Sequence, residues 1–311
     1  MSIGPLTEQL RSAYAAVQHL QHGRPMLELA EELQVSRFTV SRMIDRARAS
    51  GLVEVVTRMP DAIDPALSST LQQRFDLDAA YVVVPAVDSE QGARTAIAHV
   101  AARVLAETIE EDDLVGVGPG RTILETLGML TTLPSCDAIQ LTGVASSDPM
   151  GSLRALMRMS EVSGGRQHPL HAPFVSTDAA ACTAISSQPA VADVLRRMGR
   201  LDKAVLTVGG WPESSLLARQ LDALGELERM LEAGIVAEFG TTLLDSGGRE
   251  VRTLEDRFIG VTTEQLARVP LSMALGGGPG KDVALLAVLR SGLVNVVITD
   301  AARARFALAH D

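Results

Sequence analysis

Cysteine is nearly absent: Cys136 and Cys182 are all that the 311 residues contain, too few for a disulfide framework or for a zinc site built on thiolates. Lysine is equally scarce, with only Lys203 and Lys281, so each lysine is a candidate for a specific role. Aromatic residues make up 3% of the chain. Apolar runs such as 81–84 fall far short of the roughly 20 residues that cross a bilayer. The first residues, Met-Ser-Ile-Gly-Pro-Leu, lack the basic-then-apolar order of a secretory signal. Internal repeats and low-complexity tracts are missing too. These absences predict a soluble, cytoplasmic protein with no membrane role, no metal and no cofactor.

What is present is globular composition, 46% hydrophobic and 21% charged. The length suits a small module plus one domain of about 200–250 residues. A net charge of −10 argues against a body coated with phosphate contacts. Residues 36–50 reverse that sign locally: Arg37, Arg42, Arg46 and Arg48 against Asp45 give +3, leaving −13 on the remainder.

The basic element lies in a helical pattern. Leu6, Leu10, Ala13, Val17 and Leu20 recur at helical spacing, predicting a helix over 6–22 that Gly23 ends. Pro25 opens a second helix to Leu33, because a missing N–H costs nothing in a first turn. After the turn Gln34-Val35-Ser36, Ser36 is a good N-cap for a third helix, whose Val40, Ile44 and Ala47 face inward. Gly51 stops it, and residues 52–57 alternate like a short strand, the wing of a winged helix-turn-helix. Ala30 is the small residue that a helix-turn-helix crossing needs. Gln34 stands where glycine is frequent, at a cost of roughly 1 kcal/mol if left-handed. Ser36, Arg37, Thr39, Ser41, Arg42 and Arg46 are the candidate DNA contacts, since the start of a recognition helix meets base edges and phosphates. The alternative is a three-helix subdomain with a solvated basic face.

Residues 59–67, with two prolines and two aspartates, are expected to form a linker between a DNA-binding domain (1–58) and an α/β domain (68–311). Strands are predicted at 81–84, 114–117, 138–141, 204–208, 272–275 and 294–298, with helices over 89–110 and from Thr122. Short apolar strands alternating with longer helices specify a largely parallel sheet.

Two loops suit an anion. A strand ending in Gly118-Pro119-Gly120-Arg121-Thr122 and feeding a helix gathers backbone N–H groups, a helix dipole, a guanidinium and a hydroxyl around one point. Gly276-Gly277-Gly278-Pro279-Gly280-Lys281 does the same with an ammonium. It is no ATP-binding P-loop, having Leu275 and Asp282 where that motif needs Gly and Ser or Thr. The run 116–120 lacks the third glycine and the later acid of a dinucleotide fingerprint. His168 and His171 flank Pro169 and read as loop residues, with one of them a candidate for the pocket wall and no third metal ligand nearby. No carboxylate and histidine cluster stands out as an acid and base, so no catalytic residue is assigned.

Residues 31–53, Glu-Glu-Leu-Gln-Val-Ser-Arg-Phe-Thr-Val-Ser-Arg-Met-Ile-Asp-Arg-Ala-Arg-Ala-Ser-Gly-Leu-Val, resemble the DNA-binding segment of the SorC family of bacterial regulators. The 115–122 loop, Leu206-Thr-Val-Gly-Gly, and residues 274–281 followed by 285–300 resemble its later signatures, so the similarity spans about 25–308. The resemblance implies an effector domain similar to sugar-phosphate isomerases and deaminases, within a homo-oligomer, typically a tetramer. It implies that Gly118, Gly120, Arg121 and Thr122 hold a phosphate, that Gly277, Gly278 and Lys281 form the second anion loop, and that Glu238 bonds sugar hydroxyls. Pro119 departs from the family's usual tryptophan and removes one N–H donor. The expected function is a repressor of carbohydrate genes that grips double-stranded operator DNA and is switched by a phosphorylated sugar. The rivals are a sugar-phosphate isomerase or deaminase with a helical appendage, and a nucleotide-binding module.

Overall fold

The computed structural model describes residues 5–54, 62–87, 89–145 and 150–311. The chain divides into two compact units, Met1–Pro60 and Asp61–Asp311.

In the smaller unit, α1 (Pro5–Leu20), α2 (Met26–Glu32) and α3 (Arg37–Ala49) enclose a miniature core of Ala15, Ala16, Leu29, Ala30, Val40, Ile44 and Ala47. The small residues of α1 let the helices approach closely, and Ala30 does the same on α2. Ser36 caps α3 as its sequence position predicts, its Oγ accepting from the Thr39 amide at 3.1 Å. Gln34 is left-handed, at φ +54°, and Gly51 follows α3 at φ +72°. Residues 52–54 are not strand, and the rest of the expected wing lies outside the described residues.

The larger unit opens with α4 (Pro65–Arg74) and β1 (Ala79–Val83), then alternates through α5 (Glu90–Thr108), β2 (Leu114–Val117), α6 (Arg121–Met129), β3 (Asp137–Gln140), α7 (Gly151–Ser163) and β4 (Gln167–His168). Two helices, α8 (Ala179–Ser186) and α9 (Pro189–Arg197), lead to β5 (Lys203–Thr207). A small excursion follows: β6 (Gly209–Gly210), α10 (Leu216–Ala223), α11 (Leu227–Glu232), β7 (Ala237–Phe239) and β8 (Thr242–Leu244). The last elements are α12 (Thr263–Leu266), β9 (Leu271–Gly276), α13 (Asp282–Arg290), β10 (Val296–Asp300) and α14 (Ala301–His310).

Among the described residues, the main sheet has seven strands in the order β1-β10-β9-β5-β2-β3-β4, every pairing parallel. Its strands are apolar on both faces because both are covered. Ala204 and Leu206 of β5 turn to one side with α4, α8, α9, α13 and α14, while Val205 turns to the other with α5, α6 and α7. The result is a three-layer α/β/α sandwich. A second, antiparallel sheet of β6, β7 and β8 packs with α10 and α11 around Trp211, Leu217, Leu221 and Met230.

The expected linker needs correction at its C-terminal end. Asp64 accepts from the amides of Ala66 and Leu67, Pro65 occupies the first turn of α4, and the Asp64 amide donates to Val82 O at 2.8 Å. Asp-Pro signals a turn and a helix start alike, and here it starts a helix belonging to the larger unit; residues 59–61 lie outside the described residues. No helix among the described residues is long and apolar enough to cross a membrane.

Candidate functional site

In the larger unit a cleft of about 530 Å³ opens at the C-terminal ends of β2, β5 and β9. The connection after β2 runs over one face of the sheet and those after β5 and β9 lead to the other, so the strand ends part here. Such a switch point is where open parallel sheets bind ligands. Gly120, Arg121 and Thr122 line one wall at the start of α6, Gly277 and Lys281 a second at the start of α13, and Glu90 and Arg94 a third at the start of α5. Three helix N-termini therefore face one space, and their first-turn amides favour an anion. Gly120 sits at φ +132°, a conformation that only glycine adopts readily. Thr207 Oγ1 pins the loop by donating to Pro119 O at 3.2 Å.

The opposite end of the cleft has different chemistry. Gly209 pairs with Glu238 across β6 and β7, which carries the carboxyl to the end of β5. A Cβ on Gly209 would lie 2.3 Å from Glu238 Cγ, so glycine is what admits the acid. Ser215 Oγ donates to Glu238 Oε2 at 2.5 Å. Burial pushes the Glu238 carboxyl up to about 7, against the pull of Ser215, the Trp211 indole N–H, the Leu216 amide and Lys281. The indole N–H lies near without completing a normal hydrogen bond. Burial likewise lowers the Lys281 ammonium; Glu90 and Glu238 hold it up, and Arg121 and Arg94 depress it further. A dianionic group beside Lys281 and Arg121 would relieve that depression.

Of the expected effector residues, Gly120, Arg121, Thr122, Glu238, Gly277 and Lys281 meet in this one cleft. Gly118 lies behind it, where a Cβ would meet Leu206 Cδ2 at 2.5 Å. Gly278 shapes the second loop, its amide donating to Asp300 Oδ2 at 2.7 Å. Asp300 also caps α14 through the Ala302 and Arg303 amides, so one carboxylate ties the loop to the sheet. The histidines are placed differently from expectation. His168 belongs to β4 at the sheet edge, with Nε2 3.2 Å from Asp137 Oδ2, and neither His168 nor His171 lines the cleft. Among the described residues no group of three or more His, Cys, Asp or Glu has a metal-site arrangement.

Sequence reasoning missed Glu90, Arg94 and Arg219 on the cleft wall. Glu90 Oε1 lies 2.5 Å from Arg121 and 3.3 Å from Arg94, and Arg94 Nε lies 3.2 Å from Glu125. Arg219 makes no ion pair among the described residues. Glu90 and Arg94 stand at i,i+4 on α5, but Arg121 and Glu125 each lie 31 positions from their partners, and no local pattern links them to α5; the Ser89 cap and the Glu90–Arg94 spacing were the available signs.

In the smaller unit, Arg37 and Arg42 are exposed on α3, and Ser41 is half-buried beside them. Ser36 and Thr39 bond each other, Oγ to Oγ1 at 2.9 Å, so their hydroxyls are engaged in the cap. Arg46 pairs with Glu8 of α1 at 3.3 Å. Phe38, unremarked in the sequence, is 80% exposed at the start of α3.

Known proteins agree with this architecture. The chain is 26% identical over 315 residues to the transcriptional regulator LsrR of Enterobacter sp. (strain 638), covering 98% of this chain and 94% of that protein. It is 26% identical to the deoxyribonucleoside regulator of Bacillus subtilis (strain 168), covering 98% of each. The full-length sorbitol operon regulator SorC of Klebsiella pneumoniae superposes with a TM-score of 0.73 at 18% identity, over 97% of this chain and 99% of that one. The family model Sugar-bind, described as "Putative sugar-binding domain", matches residues 64–309. That span contains the cleft and α4 but not the three-helix unit, it bears out the SorC resemblance carried by the loops, and the chain belongs to this sugar-binding family.

Proposed function

We propose that this protein is a DNA-binding transcriptional regulator, a repressor of carbohydrate genes whose grip on operator DNA is released by a phosphorylated sugar. One observation carries the effector class: a single cleft holds an anion end, made by the 120–122 loop and Lys281, and a hydroxyl-accepting end, made by buried Glu238. Phosphate suits the first, and a sugar hydroxyl suits a carboxyl held in place by Ser215. The capped basic helix α3 is the output, with Arg37 and Arg42 free to reach base edges. The named relatives support the same reading, being transcriptional regulators. A symmetric homo-oligomer is the assembly we expect, because a recognition helix reads one half-site and paired subunits read two; the SorC resemblance makes the expected oligomer a tetramer.

A thermal-shift series tests the effector: sugar phosphates should raise the melting temperature with the logarithm of their concentration above the dissociation constant, while the unphosphorylated sugars should not. Equal shifts from both would overturn the phosphate assignment. Gel shifts with the same compounds should then show release of DNA from the promoter region upstream of the protein's own gene.

A second reading draws on Glu238 and Lys281, since a carboxyl raised to about 7 beside a depressed ammonium is what a proton-transferring isomerase would use. Incubation of the protein with sugar phosphates separates the two. A sensor returns them unchanged, and turnover would favour the enzyme.

A further inference from the structure

The sequence holds six phenylalanines, and the fold shelters five of them. Phe75, Phe174, Phe239, Phe258 and Phe306 are buried or half-buried in the larger unit, whereas Phe38 is 80% exposed in the first turn of α3. It belongs neither to the core of its own unit nor to the side chains packed against that core. A single exposed apolar side chain is ordinary on a protein surface. Phe38 differs by its direction and its company. At about 100° per residue, Phe38 and Arg42 stand about 160° and 200° from Val40, so the pair projects from the side of α3 opposite its buried stripe of Val40, Ile44 and Ala47. Other candidates for DNA contact are engaged elsewhere: Ser36 and Thr39 bond each other in the cap, and Arg46 pairs with Glu8. The first two turns of α3 are left with Arg37, Phe38, Ser41 and Arg42 to meet the bases.

We infer that Phe38 is a specificity-determining residue that reads the 5-methyl group of a thymine in the major groove. This role rests on the regulator reading and names what the outward face of α3 selects. Base edges in the major groove present hydrogen-bond donors and acceptors and one apolar group, the thymine methyl. A phenyl ring offers no hydrogen bond, so that methyl is the group it can bury. Arg42 lies one turn further along, about 6 Å, and its fork matches guanine. With about 3.4 Å between successive bases on a strand, the thymine and the guanine fall within about two steps of each other. The division of labour is physical: an arginine on a phosphate binds any sequence, whereas a ring against a methyl distinguishes thymine from the other bases.

Duplexes selected from a random pool by the full chain provide the probe. Each thymine of a selected duplex is then replaced singly by deoxyuridine, which removes the methyl and leaves the base pairing unchanged. In gel-shift titration one such position in each half-site should weaken binding about fourfold, the factor that burial of one methyl-sized group carries. Phe38→Ala should bind the thymine and deoxyuridine duplexes equally, no more tightly than the parent binds the latter, with its melting temperature unchanged. A parent chain indifferent to deoxyuridine at every position overturns the proposal. So does a Phe38→Ala chain that keeps the parent's discrimination, which would assign the methyl to another residue. Dissociation of the assembly on Phe38→Ala, with no deoxyuridine effect in the parent, would place the ring in a protein interface and overturn it as well. Failure of the selection to enrich any sequence is the different result that removes the DNA reading itself, and the proposal with it.

Discussion

Glu90 places a carboxylate on Arg121, the cation that a phosphate would need, so the unliganded anion end is already partly neutralised. The pair is largely solvent-exposed and screened, and its energy is modest. Glu90→Gln should therefore tighten binding of inorganic phosphate by a few fold in calorimetric titration, and Arg121→Ala should weaken it; an unchanged affinity in both would remove Arg121 from the site. Glu238 makes a prediction about pH. Its folded value of about 7 stands above its ordinary 4.5, so the folded chain keeps a proton that the unfolded chain has lost between those limits. The contribution is complete below pH 4.5, declines as pH rises, and is gone above about 7. Urea unfolding at pH 5 and pH 8 should show Glu238→Gln losing less stability across that range than the parent, by on the order of 1–3 kcal/mol. Identical slopes would mean that the carboxyl is not desolvated.

Helix α3 shows how far single residues define an element. Ser36 satisfies the Thr39 amide, and Ser36→Ala should cost about 1 kcal/mol in the smaller unit and lower its melting temperature. Gln34, at φ +54°, strains the turn that precedes the cap. Gln34→Gly should stabilise by up to about 1 kcal/mol, the gain limited by the extra freedom of glycine in the unfolded chain. Loss of stability on that change would show that the glutamine side chain is doing something the turn geometry does not reveal. The same helix was legible in sequence because its cap, its three buried positions and its stop lie within sixteen residues. The excursion holding β6, β7 and β8 was not, since strands of two or three residues carry too little alternation to read.

Across the whole molecule, the proposed input and the proposed output lie in separate units, so they should fail separately. Arg42→Ala should weaken operator binding by about 1–3 kcal/mol, read as a roughly 5- to 150-fold shift in a gel-shift titration, while leaving stabilisation by sugar phosphate intact. At a ligand concentration near 100 times the dissociation constant, that stabilisation is about 2.7 kcal/mol. If Arg42→Ala abolished the ligand-induced shift as well, the two units would not be separable in this way.

The sequence by itself determined what depends on neighbours along the chain: three helices with a capped basic third, an alternating α/β body, and two glycine loops each ending in a cation. Caps, periodicity and positive-φ glycines act over a few residues, so they are written where they act. The tertiary structure alone decided the strand order, which brings the ends of β2, β5 and β9 to one cleft, and the β6–β7 pairing that delivers Glu238 there. It also decided that Asp64-Pro65 begins a helix and that Glu90 rests on Arg121. These are contacts between distant residues, and burial and sheet register set them.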